Sequence, residues 1–150
     1  MIEVEIEVPA WSELPDVEDQ AIRAARAALG DRADDAGLTI LLTDDETVRD
    51  LNARFRGKDA PTNVLSFPAP PNPEGHLGDL ALAYGVCAAE AEAQGKSLCD
   101  HLSHLTVHGV LHLLGRDHEG EAEAEEMEAE ERTILASLGV ADPYRTDVQA

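Results

Sequence analysis

Residues 108–118 read His-Gly-Val-Leu-His-Leu-Leu-Gly-Arg-Asp-His, which sets three imidazoles at the spacing H-x-x-x-H-x-x-x-x-x-H. His108 and His112 are four residues apart, so on a helix they project from one face, one turn above the other. His118 lies beyond Gly115, and glycine most readily takes the left-handed conformation that ends a helix. The segment is thereby held to a helix, a glycine stop and a returning chain that brings His118 back toward the first two rings. Three neutral imidazoles leave the fourth position of a zinc ion open, as in a catalytic rather than a structural centre.

A lone histidine on an apolar helix is ordinarily a packed, hydrogen-bonded core residue. Three at ligand spacing, with a glycine stop between the second and third, point to a metal instead. The spacing is that of the metzincin signature H-E-x-x-H-x-x-G-x-x-H, with Gly109 standing where those proteases keep a general-base Glu. His104 extends the row one turn back, but His104 to His112 rises about 12 Å along a helix axis. Zinc–nitrogen bonds are about 2.0–2.1 Å, so one ion cannot span that row. His104 is expected beside the site, and His101 facing solvent.

The chain has 150 residues, enough for one domain with a real core, and residues 1–150 are read as a single domain. No apolar stretch approaches the roughly 18 residues of a membrane span. The N-terminus alternates acids with aliphatics rather than showing a signal peptide, so a cytoplasmic protein is expected. Cys87 and Cys99 are too few for a disulfide framework and read as reduced, half-buried thiols.

The formal charge is −20, and residues 119–131 hold eight Glu with no Lys or Arg. Within it, Glu121–Glu131 reads as a solvated helix face rather than a metal site. So acidic a chain lacks the basic surface with which proteins usually hold nucleic acid by its phosphates. One local exception is Arg49, Arg54, Arg56 and Lys58, opposed only by Asp50 and Asp59. A basic spot on an acidic protein favours brief, focused contact with an anionic substrate.

Ile2–Val8 alternates aliphatics with Glu, the period of a half-exposed strand. Asp16 is placed to cap a helix over about Val17–Leu29, ended by Gly30. Leu38–Leu42 is a short apolar strand. Asp44 or Asp45 then caps a helix with Val48, Leu51 and Phe55 as its buried stripe. Strands follow at Asn63–Phe67 and Leu80–Tyr84, around a loop from Pro68 to Gly75 with four prolines. Helices are expected at about Val86–Gln94, Ser97–Leu114 and Glu121–Leu138. The expected fold is α/β (α+β): a small mixed four-stranded sheet packed with about five helices, the zinc site on a central helix and its following loop.

These residues resemble the YbeY endoribonucleases, or rRNA maturation factors. The resemblance runs from about Leu38 to Tyr144, and its most specific block is residues 104–118. Supporting blocks are Leu51-Asn52 with Phe55-Arg56, the run Pro61 to Pro68, Leu77-Gly78-Asp79, and a tail from Glu125 to Tyr144. The resemblance implies a zinc-dependent, single-strand-specific endoribonuclease acting in 16S rRNA 3′-end maturation and late ribosome quality control. Its partners would be single-stranded rRNA and the ribosome or a small-subunit ribosomal protein, with no membrane and no DNA. His108, His112 and His118 match the three zinc ligands, one Zn2+ per chain, and Arg56 matches an active-site arginine. Asn63 stands where Asp is common, and Arg116 where Tyr is common.

On chemical grounds, a zinc ion with an open position activates water and polarises a phosphoryl oxygen. Arg56 can offer planar, bidentate hydrogen bonds to a phosphate. With no zincin Glu, zinc-activated water or the RNA 2′-hydroxyl would attack the phosphodiester held by Arg56. Asp79, His104 and Asp117 are candidates to orient the ligand imidazoles from behind, with a turn role after Gly78 the alternative for Asp79. Two other functions share these residues: a non-enzymatic ribosome assembly factor with a structural zinc, and a metal hydrolase on a non-RNA substrate.

Overall fold

Alternating side chains along each strand divide the sheet's neighbours into two layers. The computed structural model describes residues 1–116 and 120–143. Strands β1 (Ile2–Ile6), β2 (Gly37–Thr43), β3 (Val64–Pro68) and β4 (His76–Ala83) form one sheet in the order β1-β2-β4-β3. β1 and β4 run parallel to β2, and β3 runs antiparallel to β4. Helices α1 (Pro9–Ser12) and α2 (Val17–Leu29) cross from β1 to β2. Helix α3 (Asp45–Arg56) precedes β3, and α4 (Tyr84–Gln94), α5 (Leu98–Leu113) and α6 (Glu121–Ser137) follow β4. The mixed α+β sheet is as the sequence implies, with six α-helices among the described residues rather than about five. The additional one is α1, a single turn that seats the buried Trp11, whose Nε1 donates to the Thr43 carbonyl at 2.9 Å.

One sheet face contributes Leu38, Ile40, Leu42, Leu80 and Leu82 to the main core, packed by Ala21, Ala24, Ala25 and Ala28 of α2 and by Leu102, Val107, Val110 and Leu111 of α5. The opposite face, with Leu65, Ala81 and Ala83, packs against Val48 of α3 in a smaller cluster. Burying aliphatic side chains at about 25 cal/mol per Å2 drives both layers together. α5 therefore lies between the sheet and other helices, with His101, Leu102, Ser103, Leu105, Thr106 and Val107 all buried.

Several local expectations give way to tertiary context. Phe55 ends its stripe exposed, at 62%, touching the sheet only edge to face at Phe67 beside an open groove. Asp16 precedes α2 with a φ of 52° and makes no side-chain cap bond; its carbonyl accepts from Gln20 N instead. Asp44 is the cap of α3, accepting from Thr47 N at 2.8 Å, while Asp45 reaches across to accept from Val86 N. β4 starts at His76, so Gly78 and Asp79 sit in the strand rather than a turn. There β4 carries one extra residue against β2, since Gly37 pairs with His76 and Thr39 with Asp79. Gly78 at this bulge has a φ of 146°, and a Cβ there would collide with the Phe67 carbonyl. Cys87 is fully buried, whereas Cys99 is only partly covered.

Candidate functional site

Gly109 sets how closely α5 approaches the sheet. A Cβ on it would lie 2.7 Å from Cδ2 of the buried Leu80. The residue after His108 thus faces the core, which leaves no space for the Glu of a zincin. The approach also brings the α5 backbone to β3, where Ser66 Oγ donates to the Gly109 carbonyl at 3.3 Å.

His108 and His112 extend from the adjacent side of α5 into a cleft of about 380 Å3. Their Nε2 atoms converge to 3.1 Å, with ring centroids 4.6 Å apart. Two imidazoles on a tetrahedral zinc hold their nitrogens about 3.3 Å apart, so the pair fits two ligand positions. Among the described residues no group of three His, Cys, Asp or Glu forms a metal cage. His118 and Asp117 lie outside the described residues.

The orientation of His108 comes from a residue that the sequence reading assigned to solvent. Glu131 of α6 is fully buried, and its Oε1 accepts from His108 Nδ1 at 2.5 Å. Its Oε2 accepts from His104 Nε2 at 3.2 Å. The carboxylate fixes the His108 tautomer that turns an Nε2 lone pair into the cleft, as metal-bound histidines require. His104 reaches the site through this shared carboxylate. The signal for Glu131 was present in the spacing: Met127, Glu131 and Leu135 are the buried residues of α6, four apart on one stripe.

His101 is 2% exposed rather than solvent-facing, because α4 covers that side of α5. Its Nε2 donates to Glu90 Oε1 at 2.8 Å, and burial holds its pKa below the ordinary histidine value, partly opposed by Glu90. The same Glu90 oxygen accepts from Asn63 Nδ2 at 3.0 Å, and Asn63 lines the cleft.

Arg56 closes the cleft from the far side. It is the last residue of α3, which stops at Gly57 with a φ of 70°. Lys58 N then bonds back to the Asn52 carbonyl, and Asn52 Nδ2 holds the Ala60 carbonyl at 2.9 Å. Arg56 Nη2 donates to the Ser66 carbonyl, and its guanidinium carbon lies 5.6 Å from the Phe67 ring centroid. The rest of the basic spot is largely neutralised, with Arg49 on Asp59 at 2.7 Å and Arg54 on Asp50 at 3.3 Å. Asp79 points to the other sheet face from Leu80, where His76 Nε2 lies 3.2 Å from its Oδ1. The structure therefore brings together Arg56, His104, His108 and His112, and sets Asp79 apart. Arg116 pairs with Glu130 at 2.8 Å on the surface.

A family model described as Endoribonuclease YbeY matches residues 6–139. The chain is 54% identical to the Endoribonuclease YbeY of Paramagnetospirillum magneticum, over 95% of this chain and 94% of that one. It is 53% identical to that of Azorhizobium caulinodans, over 95% of each chain. The solution structure of a Thermotoga maritima protein shares the fold, with a TM-score of 0.57, 21% identity, and coverage of 100% of this chain and 99% of that one. With residues of all four strands and all six helices inside the matched region, the chain belongs to the YbeY endoribonuclease family.

Proposed function

We propose that this protein is a zinc-dependent endoribonuclease that cuts single-stranded RNA, acting in 16S rRNA 3′-end maturation and ribosome quality control in the cytoplasm. One observation carries the reading: Arg56 shares a single cleft with the converging Nε2 atoms of His108 and His112. In this reading residues 1–150 are one catalytic domain, His108, His112 and His118 hold one zinc, and Asp117 stands with His104 among the groups that orient them. Bound there, zinc supplies Lewis-acid polarisation of a phosphoryl oxygen.

The chain's own residues do the positioning. Glu131 keeps the His108 ring in register through Nδ1. Arg56, braced by the Ser66 carbonyl, directs its remaining N–H donors at a phosphate oxygen and stabilises charge that develops on it. Asn63, Thr62 and Pro68 line the same cleft, and Ser66 ties β3 to α5 so that the arginine and the histidines keep their separation.

The test is metal content together with cleavage of single-stranded and duplex RNA. Wild type should carry about one zinc per chain and cut only the single strand. Arg56→Ala should keep its zinc and lose about 10²- to 10³-fold in cleavage. Full activity in that variant would remove Arg56 from the mechanism and favour an assembly factor with a structural zinc.

A further inference from the structure

Phe67 packs beside Arg56, but its ring partner Phe55 has no role in the cleavage site. Phe55 is 62% exposed, although it belongs to the apolar stripe of α3. It meets Phe67 edge to face, with centroids 5.7 Å apart, and the Arg54 guanidinium carbon lies 5.5 Å from its own centroid. The two rings border a second groove of about 790 Å3 on the sheet face that α3 leaves open, with Leu41 and Leu51 among its apolar walls. Arg56 and Pro68 line both this groove and the cleft that holds His108 and His112. The two recesses are therefore neighbours that share a cationic rim.

We propose that Phe55, backed by Phe67, is a platform on which one base of single-stranded RNA stacks, next to the phosphate held by Arg56. This rests on the endoribonuclease reading and adds a substrate contact to it. An exposed aromatic face flanked by guanidinium groups is the surface that binds unpaired bases with little regard to sequence. The charges in the groove favour a base over the alternatives. Glu5 and Asp79 in its lining repel a phosphate and suit an apolar protein segment poorly, but their carboxylates can accept from base amino groups. The backbone of the strand would follow Arg56 and Pro68 along the rim, with the base turned inward. A duplex keeps its bases stacked and paired, so the platform selects single strands independently of cleft shape.

The experiment uses metal-free and zinc-loaded protein with a single-stranded oligonucleotide carrying 2-aminopurine, alongside cleavage kinetics on an unlabelled single strand. Phe55→Ala and Phe55→Leu should each weaken oligonucleotide binding by about ten-fold, the scale of one stacked base. Both should raise KM with little change in kcat. Phe55→Trp should retain wild-type affinity and quench the 2-aminopurine. Melting temperatures should stay near wild type, because the ring is in solvent. Wild-type affinity in Phe55→Leu would overturn the platform and assign the patch to apolar contact with a protein. A fall in kcat with unchanged KM, or an unchanged 2-aminopurine signal on binding, would overturn it as well. If wild type cleaves no RNA under any metal loading, the endoribonuclease reading fails instead, and binding to the metal-free protein still judges the platform.

Discussion

Glu131 Oε1 lies 2.5 Å from His108 Nδ1, across the junction of α6 and α5, with the carboxylate wholly out of solvent. A buried carboxylate that accepts from two imidazoles makes each ring a better electron donor at its other nitrogen. Glu131→Gln keeps the shape and removes the charge. It should lower zinc affinity by about 10- to 100-fold, the usual effect of losing the partner of a ligand histidine. Competition with a chromogenic chelator measures it, and unchanged affinity would show that Glu131 serves only helix packing.

Gly109→Ala sets two effects against each other. Alanine in a helix gains about 1 kcal/mol over glycine. The added methyl, 2.7 Å from a Leu80 side chain that is itself fully enclosed, costs about 1–3 kcal/mol in overpacking. The second effect should win, giving a net loss of about 1 kcal/mol in urea unfolding and a wider spacing between α5 and the sheet at β4. A variant as stable as wild type would show that Leu80 can swing aside.

Asn63 donates to Glu90, so an aspartate there would face a carboxylate about 3 Å away. Asn63→Asp should cost about 1–3 kcal/mol at neutral pH through the lost donor and like-charge repulsion. Repulsion raises the pKa of one member of the new pair, so the loss should shrink as pH falls through the carboxylate range and one proton is shared. Glu90→Gln should rescue the variant at neutral pH. Thermal melts of the single and double variants at pH 4–8 would test both statements.

The two thiols should part company. Burial, helped by the carboxylates of Glu90 and Asp45, pushes the Cys87 pKa from 9.0 up to about 12, and Cys99 is raised by a lesser burial. An alkylating reagent should label Cys99 in the native protein and Cys87 only after unfolding. The Cys87 contribution is intact below pH 9 and is lost between 9 and about 12, where the unfolded chain ionises first. Over that window stability should fall by about 1.4 kcal/mol per pH unit, and Cys87→Ala should flatten the slope.

RNA affinity should respond only weakly to salt. Arg49 and Arg54 already have carboxylate partners, which leaves few cations to displace counterions. A log–log titration should give a slope reflecting about two to four phosphate contacts. A slope reflecting six or more would reveal a basic surface assembled from elsewhere in the fold.

The placement of the two imidazoles and the glycine between them was legible because it depends on one helical turn, whereas Arg56 was singled out by the family resemblance, and the fold sets it in the same cleft. Glu131 was not, since its place in a run of eight glutamates hides that one of them replaces an apolar residue on the Met127–Leu135 stripe. His101 was misread for a related reason. α5 is enclosed by the sheet, α2, α4 and α6, so no side of it follows the one-face rule of a surface helix. Asp16 failed as a cap because residue type indicates a preference, while the left-handed backbone there directs its carboxylate elsewhere. Phe55 obeyed the periodicity of α3, but it borders an open groove on the sheet face and keeps only an edge contact with Phe67.

The seam between α5 and α6 has a consequence for how the molecule breathes. Of the three buried side chains with which α6 adheres, one is an anion whose companions are imidazoles rather than aliphatics. Any cation captured beside His108 deepens the well in which that anion sits, and by mass action a ligand at a hundred times its Kd adds about 2.7 kcal/mol to the docked state. The acidic helix is then a reporter: its amides should exchange hydrogen faster in chelator-treated protein than the amides of β2 and β4. If His108 holds a metal, its removal should be felt as slackness in α6, a helix that does not line the cleft.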